Sequence, residues 1–316
     1  MKVLVIGGTK FVGRTIVAEC LSRGWDVSLM HRSPTDLFPT ATHILGDRMK
    51  DAEKLAGDWD AVIDTSGYHH DHMAGPLAVL KDVPQYLFIS TISVYRGEAA
   101  DDLSEDGPTL PEVDASITEV NGETYGGLKV LCERLCRETL GDRLTIVRPG
   151  LIVGPYDHTD RFTFWPYWKS RLPRIVSPDT DQPVQWIDAR DLASFCVGLL
   201  ERRVMGTFNG CGDPYPWKSF IGDQVGDAEV VWVDPAELQV KGVKPWVDLP
   251  MWVPLEDGGH SVSRTMNSRA KAEGLTFRPL RTTSEDLMAW RDTVPEPLKA
   301  GMSQERIEEI LGSAKV

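Results

Sequence analysis

The sequence predicts an α/β protein, a doubly wound parallel sheet followed by a smaller, irregular C-terminal lobe. Three observations carry that prediction. Short runs rich in Val, Ile and Leu alternate with segments of helical spacing along the first half, the order that builds a parallel sheet covered on both faces. The first such run stops at Gly7-Gly8, as a buried strand does. Beyond Pro155, aromatics and prolines crowd into residues 161–183 and 214–254, and the chain carries ten Trp in all, a composition suited to an irregular lobe over the strand ends.

Residues 3–6 are the first strand. A helix over 11–23 follows from Val12, Ile16, Val17, Cys20 and Leu21 on one face, with Gly24 as its stop. Strands are expected at 26–30, 42–45, 61–63, 86–89 and 144–147, and helices over 75–80 and 127–140. Further on, Asp188 opens a helix over 185–200, and 206–209 returns as a strand. Residues 284–290 and 303–311 read as helices capped by serine ahead of acidic first turns. The acidic stretch 98–106 is a solvated loop. Residues 1–155, rejoined by 184–212, form the first unit, and 156–316 form the lobe.

The 316 residues suit about two domain-sized units, and 41% apolar with 26% charged residues excludes disorder. The charge sum, 34 − 47 = −13, argues against nucleic-acid and anionic-membrane partners, which need cationic faces. Five Cys without paired spacing are expected as reduced core thiols. No run approaches the ~20 apolar residues of a membrane span, and the N-terminal apolar run is too short for a signal segment. A soluble, cytoplasmic protein is expected.

Three motifs carry chemistry. Gly7-Gly8-Thr9-Lys10-Phe11-Val12-Gly13 joins the first strand to the first helix, where backbone N–H groups and the helix N-terminus favour a pyrophosphate. Tyr125 and Lys129 stand four apart, on one helix face, and a cation beside a phenol of pKa ~10 moves it toward use as a base. Ser90-Thr91-Ile92-Ser93 closes a predicted strand, the end at which open α/β sheets bind ligands.

In this order the three motifs resemble the short-chain dehydrogenase/reductase superfamily, in its extended NAD(P)-dependent epimerase/dehydratase branch. The closest likeness is to an atypical subgroup with the glycine motif G-G-T-[KR]-F-[VL]-G. Gly46-Asp47-Arg48, Asp102 to Pro108, Arg148-Pro149, Val153-Gly154-Pro155, the run from Gln185 to Ala193, and Gly274 to Pro279 extend the resemblance over most of the chain. It implies a Rossmann-type fold with a substrate-binding lobe. Tyr125 becomes the proton donor or acceptor, Thr91 the group bonding the reacting oxygen, and Lys129 the residue that holds the nicotinamide ribose and biases Tyr125 toward phenolate. Gly7, Thr9, Lys10, Phe11, Val12, Gly13, His31, Arg32, Asp47, Arg48 and Pro149 become cofactor contacts, with Asp47 at the adenine. Ile92 and Ser93 stand where sugar-nucleotide dehydratases carry an acidic pair, which makes elimination chemistry doubtful.

The second strand runs into His31-Arg32-Ser33-Pro34, with no carboxylate before Asp36 to bond a ribose 2′-OH. Arg32 and Lys10 instead suit a 2′-phosphate, so NADP is expected over NAD. The reading is an NAD(P)-linked oxidoreductase or epimerase acting on a carbonyl/alcohol pair of a small molecule, such as a sugar nucleotide. Two alternatives use the same fold. One is a nucleotide-sensing or RNA-binding module, since members of the atypical group resemble plastid RNA-binding proteins. The other is a non-catalytic NADP-binding redox sensor.

Weaker features have plainer readings. His69-His70-Asp71-His72 is expected as a polar loop near the cofactor, or as a substrate contact, rather than a metal site. The aromatics of 162–168 suit a pocket wall, a lobe core or a subunit contact. Arg161, Lys169, Arg171 and Arg174 beside them are solvated charges or hold an anionic substrate. Leu128, Leu131, Cys132 and Leu135 make a stripe that serves a core or a homodimer face.

Overall fold

The computed structural model describes residues 1–96, 103–254, 257 and 263–313; residues 98–102 of the acidic stretch lie outside them. Seven parallel strands form the central sheet. They are β1 (Lys2–Ile6), β2 (Asp26–His31), β3 (Thr42–Leu45), β4 (Ala61–Asp64), β5 (Tyr86–Ile89), β6 (Leu144–Pro149) and β11 (Gly206–Gly210), the short strands between the last two lying outside this sheet. The order is β3-β2-β1-β4-β5-β6-β11. It reverses between β1 and β4, so a crevice opens at the C-terminal ends of these two strands. Val3 to Ile6 are buried throughout, as a continuous apolar run covered on both faces requires.

Helix α1 (Phe11–Ser22) and helix α5 (Ala189–Glu201) cover one face. Helices α2 (His70–Leu80) and α3 (Tyr125–Leu140) cover the other. Gly24 ends α1 at φ +72°, as a C′ glycine does. Helix α2 starts five residues before its apolar spacing begins, because its first turn is polar and shows no periodicity. Pro76 stands inside it and cannot donate to the His72 carbonyl; Arg48 Nε donates to that oxygen instead, at 2.6 Å. Asp188 caps α5, accepting from the Arg190 N–H. The residues before the cap are extended, with β10 (Ile187–Asp188) paired to β7 (Ile152–Val153), so the expected helix over 185–200 loses its first turn.

The lobe has its own core, built from Phe162, Phe164, Trp165, Trp217, Phe220 and Trp252 with aliphatics. The aromatics of 162–168 are therefore lobe core, most of them on α4 (Phe164–Lys169). The neighbouring cations are spent locally: Lys169 on the carbonyls of Gly222 and Gln224, Arg171 on Asp292, Arg174 on Glu229. Arg161 lies over the Trp246 ring. Near the C-terminus come helices α8 (Ser268–Ala272), α9 (Leu280–Arg291) and α10 (Gln304–Ser313), after α6 (Trp217–Gly222) and α7 (Pro235–Val240). Ser284 does not cap α9; it is buried within the helix and its hydroxyl accepts from the Val225 N–H. All five cysteines are buried and unpaired. Of the α3 stripe, Leu128, Leu131 and Cys132 are buried within the chain and Leu135 is half-buried. Among the described residues no helix is long and apolar enough to cross a membrane.

Candidate active site

The glycine loop follows β1 at the switch point. Gly7 has φ +94°, and a Cβ there would come within 2.7 Å of the Thr65 and Ser66 hydroxyls. At Gly13 a Cβ would meet the Gly7 carbonyl oxygen at 2.3 Å, so only glycine permits this closeness of turn and helix. Lys10 occupies the N-cap of α1 without a side-chain cap hydrogen bond, and no acidic residue stands in the first turn. The helix thus presents its N–H groups behind a bare backbone cradle, the chemistry of an anion site. Phe11 opens the helix at φ +32°. Thr9 and Val12 are half-buried and Lys10 is exposed.

Tyr125 opens α3 and is half-buried, with Thr91 near enough to act on its phenol, while the Thr91 hydroxyl itself donates to the Ser93 hydroxyl at 3.1 Å. Burial pushes the phenol up to about 12; the Thr91 hydrogen bond pulls the other way and the nearby Tyr68 adds to the rise. Thr91 follows β5 and caps the short turn Ile92–Val94, accepting from the Ser93 N–H at 3.1 Å. Lys129, one turn along α3, is buried. Its ammonium donates to the carbonyls of Gly67 (2.8 Å) and Ile89 (2.7 Å), over the Phe88 ring at 4.2 Å. Burial lowers its pKa. Among the groups that shift Tyr125, Lys129 does not figure.

Two buried ionic networks brace these groups. Arg48 forks onto Asp64, at 2.7 Å through one nitrogen and 2.5 Å through the other, and also donates to Ser66. Tyr86 donates to the same carboxylate. Arg148 forks onto Glu133 at 2.9 and 2.7 Å and donates to the Tyr95 hydroxyl and the Glu105 carbonyl. Ser90, next to Thr91, donates to Glu133 at 2.6 Å. In both pairs the facing guanidinium outweighs burial and holds the carboxyl below its usual range. Sequence reasoning missed Glu133, although Tyr125, Lys129 and Glu133 recur at intervals of four on one helix face. Asp64 also carried a signal, as a lone carboxylate ending a buried strand.

The remaining expected contacts lie around the same strand ends. His31 closes β2, its ring bonded to Ser33 and His43, and Arg32 beside it is exposed. Asp47 follows β3 and accepts from the Met49 N–H. Arg48 is committed to Asp64 and braces the crevice from behind. Pro149 closes β6. His69 and His72 stack with ring centres 3.8 Å apart at the start of α2, beside Tyr68. A separate cavity of about 530 Å³ lies among Trp186, Asp188, Tyr215, Phe277 and Arg278, and neither the glycine loop nor Thr91, Tyr125 or Lys129 lines it.

A family model described as the NAD dependent epimerase/dehydratase family matches residues 3–209, from β1 into β11. The chloroplast stem-loop binding protein of 41 kDa b from Arabidopsis thaliana is 26% identical over 238 residues, 68% of this chain, and the match spans 59% of that relative. Among solved structures, UDP-glucose-4-epimerase from Stenotrophomonas maltophila, with bound NAD and formylated UDP-arabinopyranose, is similar at TM-score 0.67 and 18% identity over 93% of this chain and 98% of that one. The human epimerase family protein SDR39U1 with NADPH is similar at TM-score 0.61 and 18% identity, over 92% and 99%. At such identities the likeness is one of fold.

Proposed function

The chain belongs to the NAD dependent epimerase/dehydratase family, and from that premise we propose an NADP(H)-linked reductase or epimerase acting on a carbonyl/alcohol pair. The observation that carries the proposal is the half-buried Tyr125 at the start of α3, one helical turn from the buried Lys129 ammonium and facing Thr91, at the strand ends beside the glycine cradle. The loop fits a dinucleotide: glycine at 7 and 13 lets the turn pack tightly on the start of α1 with its backbone bare, and the α1 N-terminus has no side-chain cap. The backbone of 7–13 would hold the diphosphate, Asp47 the adenine, Arg32 and Lys10 a 2′-phosphate, and Lys129 the nicotinamide ribose. Bound there, the nicotinamide supplies hydride chemistry. Thr91 holds the substrate oxygen, and Tyr125, protonated at neutral pH, begins as the acid that donates to it. Ile92 packs with Val94, Tyr95, Leu103 and Cys211, so no carboxylate stands there for elimination. The buried, unpaired thiols suit a reducing cytoplasm.

The test is NADPH binding, followed by a screen of sugar nucleotides and other carbonyl compounds for loss of nicotinamide absorbance and for altered product stereochemistry. Tyr125→Phe keeps the ring, so cofactor affinity should survive while turnover falls by about 10²–10⁴. Near-normal turnover in that variant overturns the mechanism. The name of the Arabidopsis relative favours a second reading, stem-loop binding. The net charge of −13 opposes it. Tight, salt-sensitive retention of a stem-loop RNA would reverse that preference.

A further inference from the structure

Helix α1 carries charges of the wrong sign for its own dipole. A helix N-terminus favours carboxylates, yet this one has Lys10 at the cap, Arg14 one turn on, and no acid in its first turn. Among the described residues the Arg14 side chain donates no hydrogen bond and pairs with no carboxylate. Its guanidinium carbon lies over the Tyr156 ring, 3.8 Å from the centroid. A cation–π contact holds the group in place and leaves its N–H donors unspent.

Tyr156 belongs to a segment of the second lobe that is bent against its backbone preferences. Its φ is +72° and that of Asp160 is +57°, while Phe11 in the glycine loop sits at +32°. For bulky side chains such values are outliers, and they gather at ligand clamps. The segment is held from behind. Asp157 is buried and accepts from both the N–H and the hydroxyl of Thr159. Asp160 pairs with Arg291 and accepts from the Lys299 N–H. Tyr156 also meets Trp290 of α9. What this bracing presents toward the glycine loop is His158, exposed, edge-on to Phe11 at 6.2 Å, its ring nitrogens without a hydrogen-bond partner among the described residues.

We propose that residues 156–160 are the second lobe's half of the dinucleotide site, with Arg14 and His158 as ligands of the cofactor diphosphate. The proposal rests on the dinucleotide reading above. Arg14 offers a planar fork to one phosphate and His158 a ring N–H to the other, and the backbone strain is the cost of bringing the lobe across the loop. Cofactor binding then ties the lobe to the sheet.

Calorimetric titration of the full chain tests this, with Arg14→Ala, His158→Ala and the double variant each checked first by thermal melting without ligand. The probes are NADPH, ADP and adenosine 2′-monophosphate. Each single variant should weaken NADPH and ADP by about 10-fold or more, the range for a charge-assisted contact, and leave adenosine 2′-monophosphate unchanged. Wild type that takes up no dinucleotide defeats the functional reading itself. Wild type that binds NADPH, with both single variants within about twofold of it, overturns the clamp alone. Should a variant fail to fold, hydrogen exchange of 154–162 in wild type decides: protection on adding NADPH supports the clamp, and unchanged exchange overturns it.

Discussion

Glu133→Ala removes the acceptor of four donors at once: two nitrogens of Arg148, one of Arg137, and the Ser90 hydroxyl. The Arg148 side chain, 3% exposed, keeps only the Tyr95 hydroxyl and the Glu105 carbonyl, both bonded through one nitrogen. A buried guanidinium stripped of its counter-ion costs about 3–5 kcal/mol. The Arg137 contact adds little, because that side chain is 47% exposed. Replacing both partners with apolar residues, Glu133→Leu with Arg148→Met, should recover most of the loss, since a buried pair is worth little against good packing. Turnover should not recover with it, because Ser90 still loses the bond that steadies its neighbour Thr91. Urea denaturation of wild type, single and double variants measures the first effect, and steady-state kinetics the second. Arg148 lowers the Glu133 pKa in the fold below the ordinary 4.5. The carboxylate's contribution is therefore present above about pH 4.5 and lost as pH falls through the lower folded value, where wild type and Glu133→Ala should converge. A single variant within about 1 kcal/mol of wild type at pH 7 would refute this reasoning.

Two further outcomes are expected. Arg32→Ala should weaken NADPH by about 1.5–3 kcal/mol and barely touch NADH; equal losses in a side-by-side titration would remove the NADP preference. Burial pushes Cys132 from 9.0 up to about 11, and Cys20 and Cys211 up to about 12, so the unfolded chain gives up these protons first. Stability should hold below about pH 9 and fall progressively above it. Native thiols should ignore a thiol reagent at neutral pH, and a stoichiometric reaction there would contradict their burial.

The sheet was legible because its strands are short, largely β-branched and aliphatic segments bounded by turn residues: Thr42–Leu45 and Tyr86–Ile89 match their predicted spans to the residue. Helix starts were less so. The first turn of α2 is polar histidine, and Pro76 reads as a breaker until Arg48 is seen on the carbonyl it leaves free. At α9, Ser284 looks like a cap because it precedes acidic residues, but nothing in its own stretch reveals that Val225 takes its hydroxyl. The glycine loop and the Tyr125–Lys129 pair stood out by spacing and order, whereas Thr91 was singled out among its strand-end neighbours by the family resemblance. The post of Lys129 was not legible, since it depends on carbonyls from two strand ends far apart in sequence. Arg14 and His158 escaped for the same reason, their partners being in the other lobe or three helices away.

The return of β11 to the sheet bears on synthesis of the chain. Its register against β6, from Gly206 on Thr145 to Gly210 on Pro149, is completed only after the excursion through the first part of the lobe and α5. On the ribosome, β6 emerges with its outer hydrogen-bonding edge unpaired, and that edge stays open while the aromatic-rich lobe is still being made. An unpaired edge is a template for another chain. The interval between Pro149 and Gly206 is thus the stretch of chain over which the outer edge of β6 stays uncovered. Thr145 marks the seam: once β11 arrives its buried hydroxyl donates to the Val204 carbonyl, and Gln85 closes on both.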